Sequence, residues 1–132
     1  VDLAALFEVT MALCQRAARL KCAELRPRVA DGLGVVTLSP FGFHRLIILA
    51  LEAMLQGATQ GEPVSVALGR TPGECRVVIE AHGGPEGVTL SPGLEAAART
   101  VGARLEPEGE GSEHRLVISL PAEGKQQKVS HG

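Results

Sequence analysis

The sequence contains no tryptophan and no tyrosine, and only three phenylalanines, Phe7, Phe41 and Phe43, in 132 residues. Nucleic-acid binding draws on aromatic faces for stacking and on a basic field for phosphates. With a formal net charge of -2 and a pI near 6.1, the chain has neither, and nucleic acid is not an expected partner. Long apolar runs are also missing. The stretch Leu46 to Leu55 includes Glu52 and is far shorter than the ~20 residues a bilayer span requires, so this segment is not expected to contact a membrane. The three cysteines, Cys14, Cys22 and Cys75, are an odd number with no CxxC spacing. That argues against a disulfide framework and against zinc, and it suits a reducing cytoplasm. The four histidines, His44, His82, His114 and His131, are scattered without a carboxylate at a telling spacing. No catalytic residue and no metal-ligand set emerges from these counts.

What is present suffices for one core: 45% of the residues are hydrophobic, in a chain near the commonest domain size. Asp2 is a candidate N-cap for a helix running to about Lys21, with Leu3, Leu6, Phe7, Thr10, Leu13, Cys14, Ala17 and Leu20 at helical spacing. Cys22 to Val29 reads as an edge strand because Pro27 removes a ladder donor. Val35 to Leu38 reads as a short strand. Ser39-Pro40 then starts a second helix, with Phe43, Leu46, Ile47, Ala50, Leu51 and Met54 on one face and Ile48, Leu49, Ala53 and Leu55 making the other side apolar too, so it is expected to be sandwiched. Val64, Val66 and Leu68 alternate in a strand that turns at Thr71-Pro72-Gly73 into Cys75 to Ala81. A glycine-dense loop, 82–87, leads to a third helix starting at Ser91-Pro92 and ending at Gly102. Two last strands, Ala103 to Glu106 and Arg115 to Leu120, flank a polar turn from Pro107 to Glu113. The expected architecture is an α+β two-layer sandwich: a mixed, mostly antiparallel sheet with about three helices on one face. Residues 1–121 form the domain, and 122–132 lack apolar periodicity and are expected to be a disordered tail. The start at Val1, directly before a helical pattern, suggests a piece of a longer protein.

This order of elements resembles the ATP-binding catalytic domain of bacterial sensor histidine kinases, the GHKL or Bergerat fold. Val1-Asp2-Leu3 is similar to the "vDL" that opens those domains. Residues 39–54, Ser-Pro-Phe-Gly-Phe-His-Arg-Leu-Ile-Ile-Leu-Ala-Leu-Glu-Ala-Met, are similar to the family's D-P-x-R-L-x-Q-V-L-L-N-L-L-x-N-A. The segment Gly93-Leu94 to Pro121 is similar to its closing "GL…hGG…f.lP". The polar residues of the family's site are not matched. Two asparagines four residues apart, which carry Mg²⁺ and position the phosphates, fall on Leu49 and Ala53. Magnesium needs oxygen ligands, and these side chains have none. The adenine-binding aspartate falls on Gly83, its first glycine on Pro85, and only the second is kept, as Gly87. The lid over the triphosphate shrinks to Thr89 to Pro92, and the GxG turn after it retains Gly93 alone.

The resemblance therefore implies a vestigial nucleotide site at Leu49, Ala53, Gly83, Gly87 and Gly93, with no catalytic residue, no metal and no cofactor. Leu49 and Ala53 fit either of two readings, ordinary core residues or plugs of a former pocket. The implied role is a pseudokinase-like, protein-binding module in a two-component phosphorelay. It is similar to the second domain of bacterial histidine phosphotransferases, which docks a response-regulator receiver. The implied partner is such a receiver or the chain's own upstream dimerisation helices. The alternative is a divergent, active kinase that binds ATP and magnesium through Glu52, Glu80 or Glu86. A switch protein like the anti-sigma-factor kinases of the same fold is a third reading, though those normally keep the asparagine.

Overall fold

The computed structural model describes residues 2–20, 24–57, 62–83 and 89–121. Along the chain run α1 (Leu3–Leu20), β1 (Glu24–Val29), α2 (Pro40–Gly57), β2 (Pro63–Thr71), β3 (Glu74–His82), α3 (Pro92–Thr100), β4 (Arg104–Glu110) and β5 (Glu113–Pro121). The strands form one mixed sheet in the order β1-β2-β3-β5-β4, parallel between β1 and β2 and antiparallel elsewhere. Three helices pack on it, which makes the expected two-layer α+β sandwich. Both edge strands carry a proline, Pro27 and Pro107, which blunts them against pairing with another chain.

Local chemistry fixes each helix start. Asp2 Oδ1 accepts from the Ala5 amide at 3.1 Å, Ser39 Oγ from Gly42 at 3.1 Å, and Ser91 Oγ from Leu94 at 3.1 Å. Each satisfies a first-turn donor that has no partner inside the helix. Gly102, at φ 72°, ends α3: its amide reaches the Arg99 carbonyl while Ala103 reaches Ala98, a left-handed cap suited to glycine.

The central helix, α2, packs against both α1 and α3 as well as the sheet. Phe43, Leu46, Ile47, Ala50, Leu51 and Met54 are buried as the periodicity predicts, and Ile48, Leu49 and Ala53 are half-buried against the same core. Gly42 lets α3 come close, because a Cβ there would lie 2.7 Å from Val101 Cγ1. Gly42→Ala gains ~1 kcal/mol of helix propensity but overpacks at a cost of ~1–3 kcal/mol. Urea denaturation is expected to show a net loss that a Val101→Ala background removes.

Three details differ from the expectations. On α1, Leu3, Leu6, Phe7, Thr10 and Cys14 are buried as expected, but Leu13 is 51% exposed, and Met11 and Ala18 join the buried face. Val35 to Leu38 makes bridges at Val35 and Val36 rather than a strand, with Val35 set against Asp2. Gly32 and Gly34 at positive φ coil this segment, and it is pinned instead by Leu3 N to Gly34 O and by the Arg70 guanidinium on the Leu33 carbonyl. Finally, the polar turn expected from Pro107 to Glu113 shrinks to Gly111-Ser112. The charged residues around it belong to strands with one face in water. Cys22, His131 and the tail 122–132 lie outside the described residues.

Candidate functional site

The positions that would form a nucleotide site lie on α2, at the end of β3 and at the start of α3. Leu49 and Ala53 are one turn apart on α2, half-buried and packed against the hydrophobic core. Gly83, just beyond β3, is buried, and its amide donates to the Ser112 carbonyl at 2.8 Å. Its backbone is thus committed to the β4–β5 turn. Gly93 is exposed in the first turn of α3, where a helix could offer amides to an anion. Here Pro92 has no N–H and Ser91 Oγ already occupies the Leu94 amide, leaving that end poor in donors. Gly87 lies outside the described residues.

At the described positions, Leu49 and Ala53 present hydrocarbon, the Gly83 amide is bonded to the Ser112 carbonyl, and the first turn of α3 is capped by Ser91. Among the described residues, no group of three or more His, Cys, Asp or Glu is placed to hold a metal ion.

The substitute carboxylates are dispersed. Glu80 sits between buried Ile79 and Ala81, so strand alternation turns it to the face of the sheet away from the helices. There it lies 3.6 Å from Arg115. Glu52 is exposed on α2 and close enough to α1 to act on Cys14. Glu86 lies outside the described residues. Burial, with Glu52 adding to it, pushes the Cys14 thiol up to about 11, and burial likewise pushes Cys75 to about 11. Both stay protonated near neutrality and are poor nucleophiles. Thr10 is fully buried and donates to the Leu6 carbonyl at 2.8 Å, so its contact of 3.2 Å with His44 Nδ1 places the proton on the ring nitrogen. This fixes the α1–α2 seam.

A cleft of about 520 Å³ opens elsewhere, on the helix-free face of the sheet, among Ser65, Glu80, His82, Glu108, Glu113 and Arg115. Arg115 lies 3.6 Å from Glu80 and 3.7 Å from Glu108 across it. Two of its lining residues, His82 and Glu113, are the chain neighbours of Gly83 and of its partner Ser112.

The architecture defines the class. The chain has the fold of the GHKL-type catalytic, ATP-binding domain of sensor histidine kinases. The nucleotide-free catalytic domain of histidine kinase ThkA superposes with a TM-score of 0.74 at 12% identity, over 92% of either chain. The mycobacterial sensor histidine kinase MprB gives 0.70 at 15%, over 94% of this chain and 97% of that one. Full-length ShkA, solved with AMPPNP, gives 0.75 at 18%, over 94% of this chain and 31% of the other. At these identities the likeness establishes the fold. No family model and no curated protein matches the sequence. Among the described residues, no helix is long and apolar enough to cross a membrane.

Proposed function

We propose that this domain is a non-catalytic, pseudokinase-like version of the histidine-kinase ATPase fold, serving protein interaction in a two-component phosphorelay without binding ATP. The observation that carries this reading is the packing of Leu49 and Ala53 against the hydrophobic core at the positions that resemble the metal-binding asparagines. The engaged Gly83 amide supports it, as does the capped first turn of α3. The orientation of Glu80 weighs against an active kinase with that carboxylate as a substitute ligand. The partner in this reading is a response-regulator receiver or a pair of dimerisation helices.

Thermal shift with Mg-ATP and with ADP tests it. A ligand at 100 times its dissociation constant stabilises a protein by ~2.7 kcal/mol. The expected result is no shift at millimolar nucleotide, together with binding of a receiver domain in the same buffer. A clear nucleotide-dependent rise in Tm overturns the proposal in favour of a divergent, ATP-binding kinase.

A further inference from the structure

On the helix-free face of the sheet, register places Arg76 of β3, Ser119 of β5 and Arg104 of β4 in one cross-strand row. Side chains that face each other in this way sit within reach of a common ligand. Ser119 is only 2% exposed, although its face carries no helix. Its Oγ is buried and has no hydrogen-bond partner among the described residues. Glu74 of β3 lies on the same face. Its carboxylate reaches across β5 to Arg104 Nη2 at 2.9 Å and stands 3.8 Å from Arg76 Nη2.

We propose that Arg76, Ser119 and Arg104 form a binding site for a phosphate group, on the opposite face of the sheet from the vestigial nucleotide positions. Two guanidiniums that meet at the Glu74 carboxylate share this cross-strand row with one hydroxyl donor, and a buried hydroxyl without an acceptor costs stability that an incoming oxygen would recover. Glu74 shows what a carboxylate achieves in this position: it engages the arginines and still leaves Ser119 without an acceptor. A tetrahedral oxyanion has a third oxygen to accept from the hydroxyl while two others take the guanidiniums. Glu74 is then an internal competitor, held by exposed ion pairs that yield readily. Glu106, one row along on β4, adds negative charge nearby and favours a ligand that makes all three contacts over one held by charge alone. The inference is independent of whether the helix-side site binds nucleotide.

The test is a titration of the full chain with inorganic phosphate against chloride at matched ionic strength, followed by amide chemical shifts. A parallel arm uses a phosphoserine peptide and its unphosphorylated counterpart. Shifts are expected at residues 76, 104 and 119 with phosphate and with the phosphopeptide only. Tighter binding of the peptide would mark a phosphorylated protein as the source, and equal binding the free ion. Ser119→Ala should weaken binding about tenfold, the loss of one hydrogen bond to a charged group, and should raise the melting temperature of the free protein by removing the unpaired hydroxyl. Glu74→Gln should tighten binding several-fold, and Arg76→Ala with Arg104→Ala should abolish it. A merely structural cluster would not pair a stability gain with a binding loss at Ser119. Shifts that map elsewhere, or phosphate affinity indifferent to Glu74→Gln and to the arginine pair, overturn the proposal.

Discussion

Replacing Leu49 and Ala53 together by asparagine is expected to destabilise the domain by about 2.5–4.5 kcal/mol without creating Mg-ATP binding. Leu49 is half-buried against the core, so losing its hydrocarbon costs ~1 kcal/mol of transfer free energy. An amide placed there without a partner adds ~1–3 kcal/mol. Asparagine for Ala53 in mid-helix adds ~0.5 kcal/mol. No gain from oxygen ligands is expected on the proposed reading, in which the described base and phosphate positions are engaged elsewhere: Gly83 N–H is bonded to Ser112, and Pro92 contributes no donor. Urea denaturation measures the first half of the expectation and calorimetric titration with Mg-ATP the second. A double variant as stable as the parent would mean that these positions face an open, hydrated pocket. One that acquired millimolar ATP affinity would mean that two side chains were all the site lacked. Either result would remove the main support for a non-catalytic role.

The fold was legible in the sequence wherever a residue acts locally. Ser39-Pro40 and Ser91-Pro92 mark helix starts through one hydroxyl and one fixed φ, and both helices begin there. Thr71-Pro72-Gly73 marks the β2–β3 turn, with Gly73 at φ 80°. Legibility failed where the outcome depends on partners distant in sequence. On α1, Met11 and Leu13 are both plausible core residues, and only the positions of α2 and β1 decide that Met11 turns in. The charged run from Pro107 to Glu113 looked like a loop because an edge strand with a wet face has the composition of one. At the positions that resemble a nucleotide site, the hydrocarbon side chains of Leu49 and Ala53 could be read from residue identity alone. The bond from Gly83 to Ser112 could not, since it depends on how the β4–β5 hairpin lies beside the end of β3. The row of Arg76, Ser119 and Arg104 was hidden for the same reason: a strand's alternation is visible in sequence, but its register against two neighbours is not.

Phe43→Ala should produce the largest single loss, about 3–5 kcal/mol, while Phe41→Ala two positions away should stay within about 0.5 kcal/mol of the parent. Phe43 is fully buried near the start of α2, and Phe41 is 75% exposed on the same turn. The two rings differ little in sequence context, flanking Gly42 on either side, so the contrast isolates burial as the cause. Phe43 belongs to the single cluster that joins α1 through Phe7, α3 through Leu94 and the sheet through Ile118. Removing it leaves a cavity shared by both layers. Collapse around that cavity is opposed by Gly42, whose close fit to Val101 leaves α2 and α3 little room to slide. For a domain of this size the loss corresponds to a fall in Tm of roughly 10–20 °C, measurable by calorimetry. Equal effects at the two phenylalanines would show that the ring of Phe43 is not enclosed between helix layer and sheet, and the placement of α2 at the centre of the helix layer would have to be abandoned.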